Sequence, residues 1–328
     1  MTNTKAIPVL VLTGFLGSGK TTFLNELLKR PEMQRTAVLM NEIGAVGIDH
    51  NLVVGASDDI LLLEGGCLCC QPRGSIADGV SRLLAIEPAP KRIIIETSGA
   101  ANPYPILELL SQHPAVPRNL QFPRVITVVD SLMGLDVVEK YPEPRFQLSA
   151  AEIIVITKTD IADHRNRSAL ESAISEINAT AVVIDGSVNN VSDKYTEISQ
   201  HLSNVSSYVL PRANPKNSSA HGSAEFEAVG IEFEGVLDTS MVQEWIDKVL
   251  EEYGSNLLRI KGILFLNGYE KPMVLQCVRD IVHPIEELED IGQAIAKNTI
   301  IGIGWNMHSA LIREALDNLA VQAKPRAA

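Results

Sequence analysis

The run Gly14-Phe15-Leu16-Gly17-Ser18-Gly19-Lys20-Thr21 fits the spacing G-x-x-x-x-G-K-[ST], and its flanks narrow what it can become. Upstream, Ile7-Pro8-Val9-Leu10-Val11-Leu12 reads as a buried strand. Downstream, Thr22-Phe23-Leu24-Asn25-Glu26-Leu27-Leu28-Lys29 sets apolar residues at helical spacing. A glycine-rich loop between a strand and a helix N-terminus curls its backbone N–H groups around phosphate oxygens, and the helix end adds positive potential. Gly14, Gly17, Ser18 and Gly19 are then the cradle, and Lys20 reaches the β- and γ-phosphates. The Thr21 hydroxyl is a ligand for Mg²⁺, and Thr22 extends the phosphate-binding set. A nucleoside triphosphate is the expected ligand, in preference to a purely structural glycine turn.

A chain of 328 residues with 45% apolar residues has room for two domains and a sizeable core. Its net charge of −12 argues against a general nucleic-acid footprint, so a bound polyanion needs a local site. No apolar stretch approaches a membrane span, and the N-terminus lacks the layout of a secretory signal. The expectation is a cytoplasmic protein with no membrane partner. Of its 4 cysteines, three sit in Cys67-Leu68-Cys69-Cys70, which is no disulfide framework and points to metal or redox chemistry.

Up to about residue 210, strand-like and helix-like patterns alternate. The strand-like runs are Ile7–Thr13, Thr36–Asn41, Ile60–Leu63, Arg92–Glu96, Arg124–Asp130, Ile153–Thr157 and Ala181–Asp185. Several are near-continuous Val, Ile and Leu, as a parallel sheet covered on both faces requires. Helical patterns follow at Ser75–Ala85, Pro105–Gln112 and Arg167–Asn178. The predicted class is α/β: a P-loop NTPase domain over 1–210 with a mostly parallel sheet and active loops at its carboxyl edge. Residues 211–224 read as a solvated linker. Over 225–328 the pattern is a strand at Ala228–Glu234, a helix at Thr239–Glu252, strands at Leu257–Leu266 and Met273–Val282, then a strand and helix at Thr299–Gly304 and Ser309–Leu319. That order suggests a smaller α+β, ferredoxin-like domain.

Two further motifs close apolar strands. In Ile93-Ile94-Ile95-Glu96-Thr97-Ser98-Gly99, Glu96 is placed to hold Mg²⁺ and the Gly99 amide to sense the γ-phosphate. In Thr157-Lys158-Thr159-Asp160, the Asp160 carboxylate can accept from guanine N1–H and its amino group, which adenine cannot match, and the Lys158 stem can lie along the base. Thr157 stands where the usual guanine signature has Asn.

The cysteine cluster Cys67, Cys69 and Cys70 follows paired glycines, and three thiols within four residues can converge on one soft cation. Zn²⁺ is the default, with one tetrahedral position left open; buried small residues or a redox pair are the other readings. The loop Asn41–His50 has glycines that permit a conformational change. In it Glu42 is a candidate ligand for Mg²⁺ or a transition metal, and Asp49 a candidate to orient the attacking water or complete the γ-phosphate network.

Taken together, Gly14–Thr22, Asn41-Glu42-Ile43-Gly44, Gly66-Cys67-Leu68-Cys69-Cys70, Glu96-Thr97-Ser98-Gly99 and Thr157-Lys158-Thr159-Asp160 resemble the CobW-type family of P-loop GTPases, over nearly the whole chain. Arg259-Ile260-Lys261-Gly262 and Ile301-Gly302-Ile303-Gly304 resemble strands of that family's C-terminal domain. The resemblance implies a slow GTPase, using GTP and Mg²⁺, that binds Zn²⁺ (or Co²⁺ or Fe²⁺) through Cys67, Cys69 and Cys70 and passes it to the apo-form of a client metalloprotein. A homodimer pooling its cysteines is compatible with it. Ala45 stands where many members carry an acid. A nucleotide-dependent metal sensor without transfer, and an ATP-dependent small-molecule kinase with structural cysteines, are the alternatives.

Overall fold

Seven apolar runs become the strands of one sheet: β1 (Val9–Thr13), β2 (Thr36–Asn41), β3 (Leu61–Gly65), β4 (Arg92–Thr97), β5 (Arg124–Asp130), β6 (Ile153–Thr157) and β7 (Val182–Asp185). All pairings are parallel, in the order β3-β2-β4-β1-β5-β6-β7. Helices cover both faces of such a sheet, so β1 and β6 are buried at every position, and β4 and β5 at all but their first. The computed structural model describes residues 7–41, 61–65, 74–114, 116, 120–121, 123–186, 226–254, 256–288 and 296–325.

The helices of this unit are α1 (Lys20–Leu28), α2 (Gly74–Leu84), α3 (Tyr104–Gln112), α4 (Gly134–Lys140), α5 (Pro142–Ala150) and α6 (His164–Ile177). Helix α1 buries Phe23, Leu24, Leu27 and Leu28 in one cluster with Leu10, Leu12, Val38 and Ile94. Each such side chain contributes roughly 1.5–3 kcal/mol by leaving water. That cluster anchors the helix whose first residue is Lys20. The sequence pattern does not announce α4 and α5. One is 7 residues long and opens on glycine, and the other carries two prolines and two charges in its first four residues.

The second unit rests on a sheet of β8 (Phe226–Phe233), β9 (Leu257–Leu264), β10 (Met273–Val278), β11 (Ile281–Val282), β12 (Glu286–Glu287) and β13 (Asn298–Trp305), with helices α7 (Thr239–Tyr253) and α8 (Ser309–Ala320). Its order is β11-β10-β9-β13-β8, with β12 on β10. Both β8 and β9 run antiparallel to β13, so β8-α7-β9 is a β-α-β unit split by an inserted strand. The expected strand Met273–Val282 is instead a hairpin: Val278 pairs with Ile281 across a turn in which Arg279 takes a left-handed φ of 52°. Among the described residues no helix is long and apolar enough to cross a membrane.

Trp245, Ile246, Ile312, Leu316, Leu275 and Cys277 belong to one core, and the Trp245 indole donates to the Ala315 carbonyl at 2.6 Å. His308 caps α8, its Nδ1 accepting from the Ala310 amide at 3.2 Å. Burial leaves Cys277 1% exposed and pushes its thiol up to about 12, so the unreactive neutral form prevails at ordinary pH. Iodoacetamide at pH 8 should therefore leave Cys277 unmodified in the native protein and label it fully in denaturant, read by mass spectrometry of its peptide.

Candidate functional site

Chain order reverses across the sheet at β1: the chain passes through α1 to β2 on one side, whereas β5 flanks β1 on the other. Ligand crevices of open α/β sheets lie at such points, and the loop 14–20 fills this one. A Cβ at Gly14 would stand 2.2 Å from the Val128 carbonyl oxygen, and its φ of 144° is one that side-chain-bearing residues avoid. Gly19 enters α1 in the left-handed region, at φ 92°. The Lys20 ammonium folds back over the loop, donating to Gly14 O at 2.8 Å and Phe15 O at 3.2 Å.

Glu96 lies level with Leu12 of β1 and Met40 of β2, and is 1% exposed. Thr21 Oγ1 donates to its Oε1 at 2.9 Å, so the first turn of α1 and the end of β4 are tied through side chains. Burying a carboxylate is costly unless it is paired. A hydroxyl and a carboxylate held together offer hard oxygen donors that fit a divalent cation such as Mg²⁺. Three residues on, a Cβ at Gly99 would come within 2.7 Å of the Leu16 amide nitrogen, so this loop's backbone presses on the phosphate-loop motif. Gln147 of α5 fixes it from behind, donating through Nε2 to Gly99 O at 3.2 Å and Ala101 O at 3.0 Å.

At the end of β6, the Thr157 hydroxyl donates to Ser18 O at 2.7 Å. Lys158 takes a left-handed φ of 57° and extends to Gly17 O at 3.1 Å and to the Asp130 carboxylate at the end of β5. Thr159 Oγ1 and Arg167 Nη1 both bond Asp185 at the end of β7, at 2.5 and 2.8 Å. Asp160 itself is exposed, as is Thr22 on the first turn of α1.

The structure thus gathers Gly14, Gly17, Ser18, Gly19, Lys20, Thr21, Glu96, Gly99, Thr157 and Lys158 around one loop. Glu42, Asp49, Cys67, Cys69 and Cys70 lie outside the described residues. Among the described residues, no group of three His, Cys, Asp or Glu side chains is placed to hold a metal. Asp130 and Gln147 belong to the site by contact and were not found from sequence, since neither falls in a recognisable motif.

Comparison with known proteins agrees with this geometry. The profile of the CobW/HypB/UreG nucleotide-binding domain matches residues 8–185, and that of the cobalamin synthesis protein cobW C-terminal domain matches 226–320. The chain is 27% identical over 322 residues to the zinc chaperone YjiA of Escherichia coli (strain K12), covering 95% of this chain and 98% of that one. It is 28% identical over 318 residues to the zinc chaperone CobW of a Sinorhizobium species, covering 84% and 86% respectively. The crystal structure of Zn(II)-bound YjiA GTPase from E. coli shares the fold, with a TM-score of 0.66 at 23% identity, covering 96% of this chain and 99% of that one.

Replacing Thr157 by Val keeps its shape and removes the tether to Ser18. Urea unfolding should show a loss of about 1–2 kcal/mol, the cost of a buried carbonyl losing its donor. Asp160→Ala, at an exposed position, should stay within about 0.5 kcal/mol of the parent.

Proposed function

The chain belongs to the CobW/HypB/UreG family, and from that premise we propose that it is a GTP-hydrolysing metal chaperone whose nucleotide state sets the hold of Cys67, Cys69 and Cys70 on Zn²⁺ before transfer to an apo client. Residues 1–210 are the GTPase domain, 211–224 the linker, and 225–328 the second domain.

In this reading Lys20 exchanges the carbonyls of Gly14 and Phe15, 2.8 and 3.2 Å away, for phosphate oxygens when the triphosphate enters. Thr21 and Glu96 are the residues that would hold Mg²⁺, which when bound neutralises charge developing on the transferred phosphoryl group. Asp160 accepts from the guanine edge, and Lys158, braced by Gly17 O and Asp130, lines the base. Asp49 orients the attacking water. Hydrolysis is slow in the isolated chain and quickens with a partner that supplies positive charge. Glu42 joins the thiolates as a further metal ligand.

One observation carries the coupling of nucleotide to metal. In the sheet register, Gly65 at the end of β3 pairs with Asn41 at the end of β2, and Asn41 pairs with Thr97, the residue after Glu96. The chain leading to Cys67 therefore leaves the sheet level with the γ-phosphate-sensing loop and two strands away, about 10 Å at ordinary strand spacing. Between them lies the end of β2 at Asn41. A triphosphate sensed at the end of β4 thereby bears, through the end of β2, on the strand from which the cysteine segment departs. The naming of the relatives YjiA and CobW as zinc chaperones supports the same reading.

Zn²⁺ affinity should differ between protein held with a non-hydrolysable GTP analogue and protein held with GDP, by roughly 5- to 150-fold, and Zn²⁺ should shift GTP-analogue affinity relative to GDP by that same factor. Cys67→Ser should lose tight Zn²⁺ binding and keep GTP. Asp160→Ala should lose its preference for GTP over ATP. Coincident zinc titrations in the two nucleotide states would remove the gate, and an Asp160→Ala variant still selective for GTP would remove the base assignment.

A further inference from the structure

The loop that follows Glu96 is held from two sides. Within the loop, the Ala101 amide donates to Ser98 O at 3.1 Å. From α5, the two N–H groups of Gln147 Nε2 go to Gly99 O at 3.2 Å and Ala101 O at 3.0 Å. A trans peptide is planar, so its carbonyl and its N–H point in opposite directions. The bond on Ser98 O therefore aims the Gly99 N–H the other way, and Gln147 fixes the next peptide through Gly99 O. Both backbone torsions of Gly99 lie between these two peptides. Glycine has more freedom than any other residue to swing there, and the Gln147 amide removes it.

Gln147 is itself braced for this role. It is 1% exposed, and Thr127 Oγ1 of β5 donates to its backbone carbonyl at 2.7 Å. Two residues on, the hydroxyls of Ser149 and Tyr104 lie 3.0 Å apart, and the Tyr104 ring meets Phe146 edge-on at 6.3 Å between centroids. The side-chain amide cannot turn over, since that would set Oε1 against two carbonyl oxygens. An aliphatic side chain of the same length would fill this space equally well. What the amide adds is a pair of directed donors, both aimed at the one loop.

We propose that Gln147 is a positioning residue for the triphosphate: it holds Gly99 with its N–H toward the γ-phosphate, and so favours the triphosphate over the diphosphate. The proposal rests on the reading of Gly99 as the γ-phosphate sensor. Gln147 is no ligand of the nucleotide and acts through the loop alone. A diphosphate ends at the β-phosphate, which the loop 14–20 cradles, and gains nothing from this clamp.

Gln147→Met in the full chain keeps the side-chain length and removes both donors. Affinity for a non-hydrolysable GTP analogue should fall about tenfold, as expected for a weakened hydrogen bond to a charged group, while GDP affinity stays within about twofold of the parent. In NMR spectra of isotope-labelled protein, the Gly99 amide of the parent should differ in shift between the GTP-analogue and GDP states, and the variant should lose that difference. A side chain that only seated α5 would weaken both nucleotides alike and leave the Gly99 difference in place. Gln147→Leu is measured in the same way should Gln147→Met not fold. An unchanged ratio of GTP-analogue to GDP affinity, or an intact Gly99 difference in the folded variant, overturns the proposal and spares the reading of Gly99. No Gly99 difference in the parent overturns both.

Discussion

The tightest constraint in the nucleotide unit is the approach of the loop at Gly14 to β5. With 2.2 Å between a hypothetical Cβ and the Val128 carbonyl oxygen, no side chain fits unless the strand moves. That contact seats the loop at the switch point of the sheet, and much of the site follows from it. Lys20 is brought over the loop's own carbonyls, Thr21 is brought to Glu96, and Ser18 O is brought to the Thr157 hydroxyl. Side chains at the ends of β4 and β6 tie down this segment and the helix turn after it, and β5 packs against it at Val128. Packed backbone turns a flexible glycine-rich segment into a rigid cradle, which spares a ligand the ordering cost on binding.

Glu96 shows how burial and function are balanced in the same place. At 1% exposure, in the interior of a parallel sheet, its carboxylate has lost most of its hydration, a loss of several kcal/mol unless other groups replace the water. The Thr21 hydroxyl is one such group, and it is neutral. A hydroxyl and a carboxylate so held are hard oxygen donors of the kind a divalent ion takes. The same residue lies in register with Leu12 and Met40, so a change in its surroundings bears on β1 and β2 at once.

The large sheet was legible in the sequence because strands buried on both faces must be continuously apolar; β1, β5 and β6 stand out as runs of Val, Leu and Ile that no amphipathic helix would show. The loop 14–20 was legible because a backbone with positive φ at Gly14, Gly17 and Gly19 demands glycine, and demand of that kind leaves a mark in the sequence. Helices α4 and α5 left none: they are short, and α5 buries Gln147 and Ser149 alongside Leu148, so its inward face is half polar. The hairpin after Val278 was read as one strand because its turn is Arg279-Asp280, with neither glycine nor proline to mark it. Gln147 and Asp130 act through partners far away in sequence, and such adjacency has no local signature.

Thr157 illustrates how a departure from a motif can preserve the mechanics beneath it. Its hydroxyl reaches Ser18 O from β6 at 2.7 Å, joining the strand end at 157–160 to the loop 14–20. It sits next to Lys158, whose ammonium makes a second bridge to the same loop at Gly17 O. Two adjacent residues therefore clamp two consecutive peptides, and the left-handed φ of Lys158 aims the second clamp. What the strand end must supply is a short donor at this position, and a β-branched hydroxyl meets that need while also suiting the extended backbone of β6. Asp160, two residues beyond Lys158, is exposed. Thr157 and Lys158 thus fix this strand end to the loop 14–20 by two separate bonds.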